Sequence, residues 1–263
     1  MKSIESFFKK KKGRSYDPDM FRNDKRYKAD IQQYAAILNN LTSFISGEEK
    51  DIFYLDYFID LLRKEIKYSA LMEINRGNEK FRYLYPFDRL SFSLIREEPQ
   101  EEIEIDIAEN NLISAPWKHA RYQPLYEKMK NEDFVFHPTN HFSIYYDYLN
   151  VTCVYNGCQS LGLGSYFGKG KIVSRRFKTS KIFDYVDVTE DLAVVYNREN
   201  ILKRYKEEGE EPPYEFEKFS HDRHYGTDYR LLLIYTLSQM KYKKMRSIKE
   251  NEREDKENEK EKK

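Results

Sequence analysis

The sequence predicts an α+β fold with a helical N-terminal layer, a small mixed β-sheet core with flanking helices, and a long C-terminal helix. Apolar side chains recur every three or four positions over residues 28–46, 51–75 and 229–245, which is the period of an amphipathic helix. Residues 103–107 instead alternate isoleucine with acidic side chains, as a strand with one buried face does. We therefore expect a helical region at 1–80, an α+β core at 81–200, and a polar loop, terminal helix and charged tail at 201–263.

The two N-terminal helices are predicted together with their ends. Gly47 follows the first helix and Gly77 the second, at the position where glycine often terminates a helix. Asp51 begins the second helix, where a carboxylate is favourable. The short connection predicts that the two helices are antiparallel. The buried stripe of the second helix is expected to hold Leu55, Phe58, Ile59, Leu62, Ile66 and Met72.

The sequence of the central region predicts a series of short helices and strands. A helix is expected at residues 121–130 and a short extended segment at 134–136. The expected strands lie at 103–107, 141–148, 151–155, 171–177, 184–188 and 192–196. Residues 197–227 are polar and are expected to form surface structure. The charged residues 247–263 are expected to form a solvated helix extension or to be disordered.

Charge balance and cysteine content limit the environments that suit this chain. Its 263 residues carry 46 basic and 45 acidic side chains, so the net charge of +1 gives no overall attraction to nucleic acid or membrane. No apolar run approaches the ~20 residues that a membrane-spanning helix needs. The two cysteines, Cys153 and Cys158, are too few for a disulfide framework. These observations predict a cytoplasmic protein without a membrane partner.

A glycine-rich segment is the strongest candidate for a binding site. Residues 156–171 hold five of the 10 glycines of the chain and directly follow the strand predicted at 151–155. Because glycine has no Cβ, the backbone amides of such a turn can approach a ligand, often an anion. We therefore expect a ligand-binding loop here. The alternative is a flexible loop whose neighbouring cations only face solvent.

His141 and Asp147 are the candidate catalytic residues. His141 is a candidate general base because the ordinary pKa of histidine, about 6.5, lies close to neutral pH. Asp147 is the carboxylate expected to orient its ring. The alternative is a packed histidine that bonds a backbone carbonyl.

A second group of residues is predicted to bind phosphate or another ligand. Trp117 would stack on a base or on Arg121, the alternative being that it anchors the core. Arg121 would reach a phosphate from a helix start, although a salt bridge explains it equally well. Lys169 would add positive charge beside the glycines. The predicted ligand-binding residues are Trp117, Arg121, Asn156, Gly157, Gln159, Ser160 and Lys169.

Residue spacing excludes several familiar sites. His119, His137 and His141 match no standard zinc pattern, so no metal site is predicted. The glycine-rich segment lacks the G-K-[ST] ending of a Walker phosphate loop, and the G-x-S-x-G motif of serine hydrolases is absent. The sequence identifies no cofactor.

The order of these motifs resembles the ParB and sulfiredoxin-like fold over residues of roughly 100–200, including its nuclease-like branches. The chain is also similar to an uncharacterised bacterial family of unknown function with an N-G-x-H-S-x-x-x-G-like turn. The ParB-like resemblance implies that a strand ends in a glycine turn that opens a helix against phosphates. Here Ser160 replaces the arginine of the motif and Gln159 replaces its histidine. Serine does not supply the charge of an arginine fork, so the resemblance implies binding more than phosphoryl chemistry.

These observations suggest two alternative functions, and the sequence leaves open whether the protein is an enzyme. In the first, the ParB-like core binds a nucleotide or nucleic-acid phosphate at the glycine-rich turn. In the second, the chain is a non-enzymatic protein-interaction protein. Its 16% aromatic residues would form the contact surface, and the charged C-terminal tail would contribute to binding a protein partner.

Overall fold

The computed structural model describes residues 25–45, 50–72, 101–116, 119–212, 216–217, 221, 223–225 and 227–261. For residues 119 and 252–261 it describes the backbone alone. The chain folds as an α+β protein, as predicted, and divides into two compact units. The larger, which we call the sheet unit, contains residues 40–72, 101–180 and 233–261 of those described. The smaller, the hairpin unit, contains residues 25–39 and 181–232.

Both predicted N-terminal helices are confirmed. Helix α1 spans Lys25–Phe44 and helix α2 spans Asp51–Met72. The buried stripe of α2 consists of Leu55, Ile59, Leu62, Ile66 and Ala70, with Asp51 at its start. Met72, which was expected on this stripe, is 52% exposed. Gly47 and Gly77 lie outside the described residues.

A five-stranded mixed sheet forms the centre of the sheet unit. Its strands are β1 (Glu102–Asp106), β2 (Leu112–Ile113), β3 (Phe142–Tyr146), β4 (Val151–Asn156) and β5 (Lys171–Phe177). Their order across the sheet is β1-β5-β3-β4-β2. Strand β1 pairs antiparallel with β5, and β3 antiparallel with β4, whereas β3–β5 and β2–β4 are parallel. Four of these strands were predicted, and the two-residue β2 was not.

The glycine-rich segment is a helix, and the prediction of a loop there is wrong. Helix α4 spans Cys158–Phe167, and helix α3 (His119–Asn131) packs beside it. Glycine inside a helix costs about 1 kcal/mol relative to alanine, which is why the sequence favoured a loop. Burial offsets that cost, because Leu161 and Leu163 are fully buried. The predicted extended segment at 134–136 forms no strand.

The hairpin unit contains a two-stranded antiparallel sheet and a short helix. Strand β6 (Val186–Val188) pairs with β7 (Val194–Tyr196), within the two segments predicted as strands. Helix α5 spans Arg198–Glu208 and buries Ile201 and Tyr205, so the polar region after residue 197 also contributes to a core.

The C-terminal helix is longer than the segment predicted from its apolar period. Helix α6 spans Tyr229–Glu261, about 50 Å at 1.5 Å per residue. Its first part is buried, with Leu233, Ile234, Tyr235 and Leu237 inaccessible to solvent. The charged continuation is helical through residue 261, in agreement with a helix extension. Across the described part of the chain, no helix combines the length and the hydropathy required to span a membrane.

Candidate functional site

His141 is packed in an aromatic environment immediately before β3. Its ring stacks on Phe134, with the centroids 5.2 Å apart, and contacts Phe136 at 5.7 Å. Only 5% of the residue is exposed. The two phenylalanines of the segment predicted as extended therefore form much of the histidine's surroundings.

The hydrogen bonds of His141 fix the position of its ring proton. The backbone N–H of His137 donates to Nδ1 at 3.1 Å, so the proton of the neutral ring is on Nε2. Nε2 lies 2.9 Å from the hydroxyl oxygen of Ser160 and donates to it. The Ser160 hydroxyl in turn donates to the carbonyl of Gly157 at 3.1 Å. In this arrangement His141 holds Ser160 in place and does not accept its proton.

Burial keeps His141 neutral. Desolvation, together with the nearby ring of His137, lowers the pKa of His141 from 6.5 to about 4. A base with so low a pKa would accept a proton only weakly at neutral pH. The contacts agree with a packed histidine, although its partners are a serine hydroxyl and a backbone N–H instead of the carbonyl that the sequence suggested.

The glycines of the α4 region make room for neighbouring side chains. Gly157 has φ +78°, and a Cβ there would lie 2.4 Å from Cδ2 of His141. Gly170 has φ +101°, and a Cβ there would lie 2.4 Å from Cδ1 of Phe134. Within α4, a Cβ at Gly164 would lie 3.2 Å from the carbonyl oxygen of Lys169. The space that the missing Cβ atoms leave is occupied by the protein itself.

Asp147 lies at the other end of β3 and has different partners. Its Oδ1 accepts hydrogen bonds from the backbone N–H groups of Tyr148 (2.6 Å) and Thr179 (3.0 Å). Its Oδ2 lies 3.2 Å from Nε of Arg176. Asp147 is six positions after His141, which corresponds to about 20 Å along an extended chain. The structure therefore does not form the expected His141–Asp147 pair, because the two residues flank opposite ends of one strand.

The predicted ligand-binding cations are dispersed. Nζ of Lys169 donates to the carbonyl of Met129 at 3.3 Å, in the last turn of α3. Arg121 is exposed near the start of that helix, and Asn156 is exposed at the end of β4. Trp117 lies outside the described residues.

The first turn of α4 retains one feature that suits a ligand. Gly157 precedes the helix in the left-handed conformation, no side chain caps the helix, and its first turn has no acidic residue. The side-chain nitrogen of Gln159 is inaccessible to solvent and has no hydrogen-bond partner among the residues that the structure describes. A helix N-terminus of this kind favours negative charge.

The two cysteines differ in burial and are both reduced. Cys153 is fully buried in β4, and desolvation raises its pKa strongly, so its thiol is inert. Cys158, the first residue of α4, points its sulfur toward the carbonyl of Val154 at 3.8 Å. Among the described residues, no three histidine, cysteine, aspartate or glutamate side chains lie close enough to hold a metal ion.

Helix α2 carries an apolar surface that the sequence analysis missed. Large side chains project from the side of the helix opposite its buried stripe, and we call this surface the aromatic face. Its members and their exposed fractions are Phe53 (76%), Tyr54 (51%), Tyr57 (60%), Leu61 (43%), Tyr68 (60%) and Met72 (52%). Their spacing by three, four and seven residues is visible in the sequence, but the first apolar stripe of the helix already explained its amphipathic character.

The aromatic face exposes more apolar area than a monomeric protein usually does in one place. At about 200 Å² for each such side chain, the exposed fractions correspond to roughly 700 Å². Contiguous apolar patches of more than a few hundred Å² usually mark interaction sites.

The comparisons with known proteins identify the family and no activity. No curated protein and no solved structure matches the chain, and nothing in the comparisons supports the resemblance to the ParB and sulfiredoxin-like fold. A model of a family of unknown function matches residues 10–243, most of the sequence. The chain therefore belongs to this family, DUF6710.

Proposed function

We propose that this protein is a non-enzymatic protein-interaction protein, and that the aromatic face of α2 binds an amphipathic helix of its partner. The observation that carries this proposal is the presence of six large, exposed apolar side chains on one side of a helix whose other side is buried. Such a surface costs solubility unless a partner covers it.

The shape of the aromatic face favours a helical partner. From Phe53 to Met72 the side chains follow the helix axis for about 28 Å. Rows of side chains at intervals of four form ridges, and the grooves beside them accept the ridges of another helix. An amphipathic helix binds such a surface through apolar residues spaced by three and four.

Helix α2 is held firmly from its buried side. Nε of Arg63 donates to the carbonyl of Leu149 at 2.7 Å, and Nζ of Lys67 to the carbonyl of Asn110 at 3.2 Å. On α6, Lys244 pairs with the buried carboxylate of Asp51 at 2.8 Å. A rigid surface loses little conformational entropy on binding, which favours affinity.

The residues that suggested chemistry are engaged within the fold. His141 bonds Ser160, Asp147 bonds Arg176, and Lys169 bonds a backbone carbonyl of α3. These contacts support a structural role for each residue, and so they favour binding over catalysis.

A selection experiment tests this proposal and defines the kind of helix that binds. A library of helical peptides is panned against the chain, and the enriched peptides are titrated against wild type and a Tyr57→Ser/Tyr68→Ser variant. We expect enriched peptides with an apolar i, i+4, i+7 pattern that bind the variant at least about 30-fold more weakly. Tyr166→Ser is the matched control, since Tyr166 is 59% exposed on α4 and should leave binding unchanged. Equal binding to the double variant would exclude the aromatic face.

The charged end of α6 is part of the same proposal. Helix α6 continues through residue 261, and residues 249–251 are exposed, so this end of the helix contributes to binding the partner of the aromatic face. A chain ending at residue 246 should keep its fold, yet bind the enriched peptides more weakly than the full chain does. Unchanged binding of the peptides would limit the interface to α2.

A second candidate function is binding of a nucleotide or nucleic-acid phosphate at the first turn of α4. The unpartnered side-chain nitrogen of Gln159 favours it, and a ParB-like arrangement of strand, glycine and helix would place a phosphate there. Thermal unfolding with ATP, GTP, pyrophosphate and a single-stranded oligonucleotide tests it. A ligand at 100 times its dissociation constant should add about 2.7 kcal/mol of stability, and Gln159→Leu should abolish this increase. No stabilisation by any of the four compounds would rule the candidate out.

A further inference from the structure

We infer that the helix bound by the aromatic face is α2 of a second copy of this chain, so that two copies pair through antiparallel α2 helices. The inference rests on the proposed function and names its partner. Three observations on α2 support it: the size of the face, the arrangement of its side chains, and the position of its charged residues.

The exposed area fits a symmetric dimer. The six side chains expose roughly 700 Å², and a stable interface of standard size buries about 800 Å² on each partner. In a two-fold dimer the same surface is used by both copies, so no further apolar surface is needed. The aromatic face therefore supplies most of the area that the interface requires.

The side chains of the face are complementary to themselves in the antiparallel direction. The face is centred between residues 62 and 63, so a two-fold axis there places Tyr57 opposite Tyr68 of the second copy. It also places Phe53 opposite Met72 of the second copy. Aromatic pairs and sulfur–aromatic pairs are both favourable contacts beyond their buried area. A parallel arrangement would instead place every residue opposite its own counterpart.

The charges near the centre of the face favour the same direction. Asp60 and Lys64 form an ion pair at 2.7 Å, one turn apart beside Leu61, and both are partly exposed. In an antiparallel pair, Lys64 of one copy lies opposite Leu61 of the other and within about one turn of its Asp60. In a parallel pair, Lys64 would lie at the height of Lys64 and Asp60 at the height of Asp60. The antiparallel arrangement therefore brings Asp60 of each copy near Lys64 of the other, whereas the parallel arrangement does not.

The rest of the sheet unit leaves this side of α2 accessible. The stripe containing Ile59 and Ile66 is buried, and α6 contacts the helix through Asp51 and Asp56. By helical periodicity, these positions lie away from Tyr57 and Tyr68. A second helix can approach the aromatic face without displacing any of these contacts.

Sedimentation equilibrium of the full chain measures the association directly. We expect wild type to form a dimer at micromolar concentration, and Tyr57→Ser/Tyr68→Ser to raise its dissociation constant at least about 30-fold. Tyr166→Ser should leave the dimer unchanged. A wild-type chain that stays monomeric at about 100 μM overturns the inference, as does a dimer that the double variant retains.

Cysteine cross-linking tests the direction of the helices. In a Cys158→Ser background, Leu61→Cys should cross-link two copies on mild oxidation, because antiparallel pairing brings these positions near the axis. Phe53→Cys should not, since the two positions would lie about 28 Å apart along the helices. Cross-linking of both variants would indicate parallel pairing and overturn the proposed arrangement. A monomeric chain that still binds the selected helical peptides would refute only the second copy as partner, whereas loss of both would refute the proposed function as well.

Discussion

The buried His141 makes the stability of the protein dependent on pH. Its pKa is about 4 in the folded chain, against an ordinary value of 6.5 that also applies to the unfolded chain. The folded state therefore resists protonation of this ring. Its contribution to stability is fully present above pH 6.5 and is lost as the pH falls from 6.5 through about 4.

The two pKa values set the magnitude of this effect. Between pH 7.5 and pH 4.5, protonation of the unfolded chain alone should remove about 2.5 kcal/mol of unfolding free energy. That is a large fraction of the stability of an ordinary domain. The cause is physical: a charged imidazolium would lie against Phe134 and Phe136 in a residue that is only 5% exposed to water.

Urea unfolding of wild type and His141→Gln at both pH values measures the effect. Glutamine keeps a side-chain N–H that can donate to Ser160 but does not titrate. We expect the variant to lose about 2.5 kcal/mol less than wild type between pH 7.5 and pH 4.5. Equal losses for the two proteins would refute the view that His141 is held neutral by packing.

Two further predictions concern packing and charge, and urea unfolding measures both. Gly157→Ala should destabilise the chain by about 3 kcal/mol, because the new methyl group meets His141 in a left-handed backbone conformation. Gly209→Ala is its control, because Gly209 also has a positive φ but has open space around it. This variant should cost about 1 kcal/mol. Equal losses of unfolding free energy in the two variants would exclude the contact with His141 as the cause. Lys244→Met should cost roughly 3 kcal/mol by removing the ammonium beside the buried Asp51. The exposed Lys128→Met, whose partner Glu132 is also exposed, should have no measurable effect. Similar losses for both lysines would contradict the difference in burial between the two ion pairs.

Regular periodicity made much of the fold predictable. Helices α1 and α2 and strand β1 have clear periods of 3.6 or 2, because each buries one face, and their ends were predicted within a few residues. Helix α4 was missed because its local preference and its tertiary environment disagree. Five glycines favour a loop, yet the close approach of His141, Phe134 and Leu71 requires residues without a Cβ. Local propensity cannot reveal such contacts between distant segments.

The candidate site was harder to predict for the same reason. The sequence analysis selected both His141 and Ser160, for separate roles, and the structure brings them together across 19 positions. The sequence could not show that the ring proton of His141 faces Ser160, because the hydrogen bond that the backbone N–H of His137 donates to Nδ1 determines this. The aromatic face of α2 was overlooked because an apolar residue on a helix is usually assigned to the core. Only the packing shows that Tyr57 and Tyr68 point away from it.

Tyrosine footprinting tests most directly whether the aromatic face is the binding surface. The chain is diluted until it is monomeric and acetylated with N-acetylimidazole with and without a selected helical peptide, and each tyrosine is quantified by mass spectrometry. We predict that the bound peptide protects Tyr57 and Tyr68, while Tyr166 on α4 stays equally reactive. Unchanged reactivity of Tyr57 and Tyr68 with the peptide bound would contradict the assignment of this face.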